Sequence, residues 1–470
     1  MENETIAAIA TPPGRSAIAV IRLSAQDAFK IFSQLLHEKD NNALEAQKAN
    51  LVKLYRVDAS ETGLPRKFLD QCIVVPYIAP HSYTGENLIE IFSHGGTLVP
   101  QLILEELFRA GARLAEPGEF TLRAFLNNKM DLAQAESIEL IVSSSTEKEL
   151  ELAHHQYSGQ FSQEIQDLRS SLVDLLSLLE LELDFSDEDV EFASRSELIT
   201  RLDALENMLT AMVASYQRSH ILREGIYVAI VGSPNVGKSS LLNLLVRKER
   251  AIVTDIPGTT RDVIEEAIDI SGYKFIFVDT AGFRFTEGVV EQEGIRRSES
   301  VLRSAPVVVF MVDQSRHLQK EDWEVRQKIL QWCREEDKHK ILVVNKSDLP
   351  AVISDKEIES IGAGFEIIRL SCKNGQGLSE FEQHFERLAQ DIAGRSPDTR
   401  SMIVNLRQKN AAERALAAVR EGKEHFSGGY SQEFIAADLR IALDALGELI
   451  GEVTTEEILG NIFSHFCIGK

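Results

Sequence analysis

The spacing of apolar and polar residues changes three times along this chain. Up to about residue 118, short alternating runs such as "SAIAVIRLS" and "QCIVVPYI" predict strands. They are separated by the turn signals "TPPG", "HSYTGEN", "SHGG" and "EPGE". One longer stretch, "TLVPQLILEELFRAG", predicts a helix closed by Gly111. Residues 1–118 therefore read as an α+β domain. From 119 to 222 leucines recur at helical spacing in "EIQDLRSSLVDLLSLLELELDF" and again, behind a serine cap, in "SRSELITRLDALENMLTAMVASYQR". The acidic stretch "DFSDEDVEF" between them reads as a solvated loop rather than a metal site.

Residues 223–390 change texture again. "GIYVAIVG", "YKFIFVDT", "PVVVFMVD" and "KILVVNKSD" are nearly continuous apolar runs. Strands covered on both faces have this composition, so a mainly parallel α/β sheet is expected. Helices return over 391–470, as in "NLRQKNAAERALAAVREGK" and "SQEFIAADLRIALDALGELIGEV". Neither helical portion closes a core alone. The expected architecture is an N-terminal α+β domain and one helical domain (119–222 with 391–470) into which the α/β domain (223–390) is inserted.

Composition narrows the partners more than the fold. The 470 residues are 44% hydrophobic, enough for a large core without crosslinks. The four cysteines Cys72, Cys333, Cys372 and Cys467 form no CxxC pair, which suits a reducing compartment. The first residues carry acidic side chains and no basic leader, and no apolar run reaches membrane-span length, so a cytoplasmic location without membrane contact is expected. A formal net charge of -23 argues against a large nucleic-acid footprint of the chain's own. Any RNA substrate is expected to be held with a basic partner's help.

The chemistry lies in the α/β portion. "GSPNVGKSS" follows a strand run, precedes a helix run and fits G-x-x-x-x-G-K-[ST] with Gly232, Gly237, Lys238 and Ser239. Such a loop closes backbone N–H groups around phosphates. Lys238 adds positive charge, and Ser239 offers an oxygen to magnesium. The expected nucleotide contacts here run through Asn235, Val236, Gly237, Lys238, Ser239 and Ser240. "DTAG", Asp279, Thr280, Ala281 and Gly282, ends the next strand and can serve the magnesium shell and the γ-phosphate. "NKSD", Asn345, Lys346, Ser347 and Asp348, ends a third strand. Asp348 can accept from the N1 and N2 donors of guanine, a pair adenine lacks. Asn345 can donate toward O6, and the Lys346 stem can pack along the base. "SCK", Ser371, Cys372 and Lys373, can close over the base. Four such stretches in order, each after a strand, predict a guanine-nucleotide-binding domain rather than an ATPase.

Many small GTPases place a water-orienting glutamine directly after DTAG, but here that position is Phe283. The water and the charge between β- and γ-phosphates must be handled otherwise. "TDIPGTTRD" supplies a switch-type loop containing Thr254, Asp255, Ile256, Pro257, Gly258, Thr259 and Thr260. By position, Thr260 should reach magnesium. Carbonyl oxygens from Thr254 and Ile256, with Asn235, could cage a monovalent cation that does an arginine finger's electrostatic work. Arg284 and Glu291 are the polar candidates after DTAG.

With these motifs in place, the chain resembles the MnmE (TrmE) family of tRNA modification GTPases nearly end to end. The N-terminal "TIAAIATPPGRSAIAVIRLS", "HSYTGENLIEIFSHGG" and "AEPGEFTLRAFLNNKMDLAQAES" are similar to that family's folate-binding domain, and "FCIGK" to its C-x-G-K ending. Ser16 and Ala17 stand where glycines are frequent, and Cys372 where an alanine is usual. The resemblance implies GTP hydrolysis with potassium and magnesium, coupled to closure of G domains across a homodimer formed through the N-terminal domains. It implies a joint reaction with the FAD protein MnmG. That reaction adds a carboxymethylaminomethyl or aminomethyl group at C5 of the wobble uridine of certain tRNAs, from a reduced folate (5,10-methylene- or 5-formyl-tetrahydrofolate). By motif position it assigns potassium to Asn235, Thr254, Ile256 and Thr259, magnesium to Ser239 and Thr260, and the catalytic water to Glu291 through another water. It assigns folate to Arg22, Glu90, Lys129 and Lys470, with Cys467 nearby. The competing expectation is a regulatory GTPase switch in ribosome assembly, which a Lys/Arg-rich RNA-binding appendage would favour; the sequence displays none.

Overall fold

The computed structural model describes residues 4–37, 44–57, 66–184, 194–248, 264–279, 299–333, 338–393, 402–453 and 455–470. Contacts group the chain into two compact units, Met1–Glu139 with Gln156–Ile199 and Ala417–Lys470, and Leu140–His155 with Thr200–Leu416.

The first unit is built on strands β1 (Ile6–Ile9), β2 (Ile18–Ser24), β3 (Asn50–Tyr55), β4 (Phe68–Tyr77), β5 (Leu88–His94) and β6 (Arg113–Leu114). Their order is β3-β4-β5-β2-β1-β6, antiparallel except for the β1–β6 pair. The period-2 pattern explains the layering. In β4, Asp70, Cys72, Val74 and Pro76 are buried while the residues between them are more exposed. Helices α1 (Ala28–Ser33) and α2 (Leu98–Arg109) cover the inner face, and Ile21, Phe32, Leu54, Val74, Ile91, Ile103 and Leu107 form the core between them. The chain continues through α3 (Glu119–Leu126), α4 (Leu132–Ser143), α5 (Glu147–Tyr157), α6 (Gln160–Asp184) and α7 (Arg195–Glu224), of which residues 140–155 and 200–224 belong to the second unit. The acidic stretch singled out in the sequence falls, beyond Asp184, outside the described residues.

The second unit holds β7 (Ile226–Gly232), α8 (Lys238–Lys248), β8 (Ile264–Ile270), β9 (Tyr273–Asp279), β10 (Val307–Asp313), α9 (Lys320–Trp332), β11 (His339–Asn345), α10 (Asp355–Ile361), β12 (Glu366–Arg369) and α11 (Leu378–Ala393). The strand order is β12-β11-β10-β7-β9-β8, and only the β8–β9 hairpin is antiparallel. Every residue of β10 is buried, as a central strand covered by helices on both faces requires. One face packs Val228, Ile230, Leu241, Val309 and Phe385; the other packs Ala229, Phe310, Val325, Ile329 and Ile358.

Three helices complete the chain, α12 (Leu406–Gly428), α13 (Gln432–Ile450) and α14 (Glu456–Ser464). In the first unit α13 lies along α6. Beyond α14 the chain end is anchored. Phe463 and Phe466 are buried with Leu132 and Ala135, worth roughly 2 kcal/mol for each ring. Gly469 (φ 99°) approaches the β1 end so closely that a Cβ would sit 2.7 Å from the Ile9 carbonyl oxygen.

Candidate functional site

The parallel strands β7 and β11 end side by side about β10 at the same edge of the sheet, and the loops that follow them form one cleft of about 790 Å³. That volume suits a nucleotide-sized ligand. Asn235, Gly237, Lys238, Ser239 and Ser240 line it from the β7–α8 loop, and Asn345, Lys346, Asp348, Cys372 and Lys373 from the other side.

The loop's shape follows from its residues. Asn235 (φ 61°) and Gly237 (φ 107°) take left-handed backbone conformations, which turn successive N–H groups inward before α8 begins at Lys238. Gly237 has a second constraint: a Cβ there would lie 2.1 Å from Asn345 Nδ2. Lys238 Nζ donates to the carbonyl oxygens of Gly232 (2.8 Å) and Ser233 (3.1 Å), so the ammonium sits over the loop. Ser239 places an oxygen in the cleft on the first turn of α8.

The base-reading side is held by buried polar pairs. Asn345 Nδ2 donates to Val236 O at 2.7 Å, and its Oδ1 accepts from the Cys372 N–H at 3.1 Å. This carboxamide is buried, and with one of its two N–H donors engaged by Val236 it still lines the cleft. Lys346 (φ 66°) pairs through Nζ with Asp313 Oδ2 at 2.6 Å, which fixes its stem at the end of β11. Burial opposes ionisation of Asp313, but the Lys346 ammonium and the Ser315 donors outweigh it and hold the carboxyl below its ordinary range. Ser371 is fully buried and donates to Asp348 Oδ1 at 2.6 Å, which lowers the Asp348 carboxyl and leaves its other oxygen for a ligand. Burial pushes the Cys372 thiol up to about 12, so it lines the cleft as a neutral group. Val236 and Ser347 shape the loops without lining the cleft; Ser347 N–H donates to Leu370 O at 3.2 Å.

Asp279 ends β9 in register with Ile230 of β7. Thr254, Asp255, Ile256, Pro257, Gly258, Thr259, Thr260, Thr280, Ala281, Gly282, Arg284 and Glu291 lie outside the described residues. Three polar residues that sequence reasoning passed over belong to the cleft's foundations. Ser233 Oγ donates to Asp322 Oδ1 at 2.6 Å, and Asp313 holds Lys346. The three-residue spacing of Gln319 and Asp322 signals a helix cap, but nothing in the sequence links that cap to Ser233.

The second candidate site lies in the first unit. Arg22 Nε pairs with Glu90 Oε1 at 3.0 Å across adjacent strands β2 and β5. Its NH1 donates to Gly469 O at 3.3 Å, and its guanidinium lies 5.3 Å from the Tyr83 ring centroid. Burial, with Arg22 nearby, lowers the Lys470 ammonium. The sheet and the chain's last two residues thus meet, although 447 positions separate Arg22 from Gly469. Lys129 Nζ donates to Pro80 O at 3.0 Å, and its stem lies beside Gly85, so it contacts the loop that carries Tyr83. Cys467 is exposed, and its carbonyl accepts from Lys470 N–H at 3.3 Å. Among the described residues no group of three or more His, Cys, Asp or Glu is placed to hold a metal, and no helix is long and apolar enough to cross a membrane.

The family described as "MnmE helical domain" matches residues 132–467, and "GTP-binding protein TrmE N-terminus" matches residues 5–129. The tRNA modification GTPase MnmE of Syntrophus aciditrophicus (strain SB) is 42% identical over 472 residues, covering 100% of both chains. That of Alkaliphilus oremlandii (strain OhILAs) is 37% identical over 468 residues, covering 100% of this chain and 99% of the other. Among solved structures, the G domain of the T. maritima FeoB iron transporter aligns with 25% identity and a TM-score of 0.28 over 35% of this chain and 99% of its own. Matched from end to end, the chain belongs to the MnmE family of tRNA modification GTPases.

Proposed function

We propose that this chain hydrolyses GTP to drive tRNA modification. Its reaction, with the FAD-dependent partner MnmG, adds a carboxymethylaminomethyl or aminomethyl group at C5 of the wobble uridine from a reduced-folate one-carbon unit. The reading assigns 1–118 to folate binding and dimerisation, 223–390 to the G domain, and 119–222 with 391–470 to the helical domain. The observation that carries it is the pairing, in one cleft, of a phosphate loop with an Asp348 carboxylate pinned by Ser371. Guanine's N1 and N2 donors match that carboxylate, and adenine has no equivalent pair.

Family membership supports magnesium as the ion for GTP, and the oxygen donor Ser239 at the mouth of the loop fits a hard cation. Ser239 with Thr260 would hold magnesium. Asn235, already turned into the cleft, with Thr254, Ile256 and Thr259 would hold potassium. A cation there neutralises charge that builds between the β- and γ-phosphates. The protein's part is to grip and orient. Lys238 steadies the outer phosphates, and Glu291 holds the attacking water through a second water. The water oxygen bonds to the γ-phosphorus as the bond to the β–γ bridging oxygen breaks, giving GDP and phosphate.

The Arg22–Glu90 pair, backed by Tyr83 and the Gly469–Lys470 end, supports folate binding: a cation suits the glutamate tail and a carboxylate the donor edge of the pterin. On the outward face of the same sheet Leu51, Ile73, Phe92 and Val20 stand in one register row, with Leu51 68% exposed and Ile73 45% exposed. Such a row supports a homodimer through the N-terminal domain. The deciding experiment is nucleoside analysis of tRNA from cells lacking this gene. Wobble-uridine modification should vanish, return with the wild-type gene and fail to return with Lys238→Ala. Undiminished modification in the deletion strain would reject the proposal.

A further inference from the structure

We propose that Asp322, on the first turn of α9, is a positioning residue for the phosphate loop and acts through Ser233. The inference rests on the nucleotide-site reading above and adds to it a residue that the sequence motif does not contain.

Ser233 is the second residue of the loop and is buried. Its hydroxyl donates to Asp322 Oδ1 at 2.6 Å, a charge-assisted bond reaching across 89 positions of sequence. Asp322 is fully buried and its carboxylate is gripped on every side. Arg316 NH1 donates to Oδ2 at 2.8 Å, Arg316 NH2 to Oδ1 at 3.1 Å, and the Gln319 N–H to Oδ2 at 2.8 Å. Burial opposes the charged form, but these donors outweigh it and keep the carboxyl below its ordinary range. The anchor is therefore ionised and immobile. Ser233's own carbonyl accepts from Lys238 Nζ at 3.1 Å. Asp322 fixes Ser233, and Ser233 fixes the starting position of the lysine that meets the outer phosphates.

A purely architectural role for Asp322 would be to cap α9 and pair with Arg316. Neither task needs Ser233, and a cap alone could sit at the surface with one oxygen in water. Besides satisfying an oxygen of the buried carboxylate, the bond to Ser233 holds the loop. Holding a phosphate-binding loop in its bound shape removes an ordering cost from binding, so its loss should fall on phosphate affinity.

The test uses the full chain with magnesium present. Ser233→Ala deletes one hydroxyl and leaves the Arg316–Asp322 pair and the helix cap intact. We expect its GDP dissociation constant to rise roughly tenfold. The ratio of inosine diphosphate to GDP affinity should hold, while the melting midpoint without nucleotide falls because buried Asp322 loses a donor. Ser233→Thr, which keeps the hydroxyl, should restore affinity to within about twofold. Asp322→Asn should weaken GDP similarly, and the double variant no further, because both act on one bond. Should Asp322→Asn fail to fold, the Ser233→Ala and Ser233→Thr comparison decides alone. Wild-type GDP affinity in Ser233→Ala would overturn the inference. So would a loss matched by a shifted base ratio. Failure of the wild-type chain to bind GDP would overturn the nucleotide-site reading itself.

Discussion

The side chain of Asn345 is bonded to the main chain of Val236, Nδ2 to O at 2.7 Å, and this bond ties the base-reading strand end to the phosphate loop. Gly237 is the space that permits it. With φ at 107° and a hypothetical Cβ 2.1 Å from Asn345 Nδ2, any side chain there would force the two loops apart. Gly237→Ala should therefore weaken GDP binding by more than tenfold, a cost above about 1.4 kcal/mol. Asn345→Ala should cost about 2 kcal/mol of folding stability, because it orphans the Val236 carbonyl and the Cys372 N–H. Nucleotide titration and chemical denaturation check the two, and near-wild-type values would show that the bond is not what joins the loops.

Asp348 gives a sharper test of base recognition. One of its oxygens is held by Ser371, and the other is offered to the base. Asp348→Asn exchanges an acceptor for an amide that also donates. Guanine's N1 and N2 donors then face a mismatched partner, while xanthine presents a carbonyl where guanine has its amine. GTP turnover should fall at least tenfold and xanthosine triphosphate turnover should rise. Competition kinetics with both nucleotides measures it. Unaltered selectivity would remove Asp348 from base recognition.

Within the cleft, the local chemistry was legible and the long-range pairing was not. The phosphate loop and "NKSD" could be read because their chemistry is local, with residues a few positions apart on one turn after one strand. The mainly parallel sheet could be read because burial on both faces leaves an unbroken apolar run, as in Val307–Asp313. What could not be read is held together by chain folding. Ser233 meets Asp322 and Lys346 meets Asp313 across 89 and 33 positions, and a single sequence carries no signal of such pairs. The Asn345 carboxamide, expected at the base, also bridges two loops that the sequence does not link, one at Val236 and one at Cys372. At the chain end the anchoring is done by Phe463 and Phe466, spaced three apart, and by Gly469.

Replacing sodium by potassium should raise GTP turnover at least tenfold. Phe283 cannot orient water, and in the proposed mechanism the compensating charge comes from a caged cation beside Asn235. Asn235 lines the cleft with a left-handed backbone. Asn235→Ala should abolish the potassium stimulation and leave GDP affinity within about threefold. Steady-state phosphate release in the two salts is the measurement. Equal rates in sodium and potassium would discard the cage.

Reduced folate should bind the full chain saturably. Arg22→Ala removes the Glu90 partner and the hydrogen bond to Gly469, and should weaken folate at least tenfold while leaving GDP affinity unchanged. Deleting Gly469 and Lys470 should weaken folate in the same way. Calorimetry with 5-formyl-tetrahydrofolate checks both. Wild-type folate affinity in Arg22→Ala would move the pterin site elsewhere.

The Asp313–Lys346 pair fixes a pH window. The folded-state carboxyl of Asp313 lies below its ordinary value, since the Lys346 and Ser315 donors prevail over the cost of burial. A carboxyl depressed on folding adds stability that is complete above the unfolded-state value and disappears as pH falls through the folded-state one. The pair is therefore silent between pH 5 and 8 and weakens only below about pH 4. Lys346 is a third exposed, so solvent screening limits the pair to about 1 kcal/mol. Asp313→Asn should lower stability by that amount at pH 7, and the gap to wild type should close as pH drops below 4. Denaturation curves at pH 7, 5 and 3.5 decide it. A gap that is constant across the three would mean that Asp313 acts through shape rather than charge.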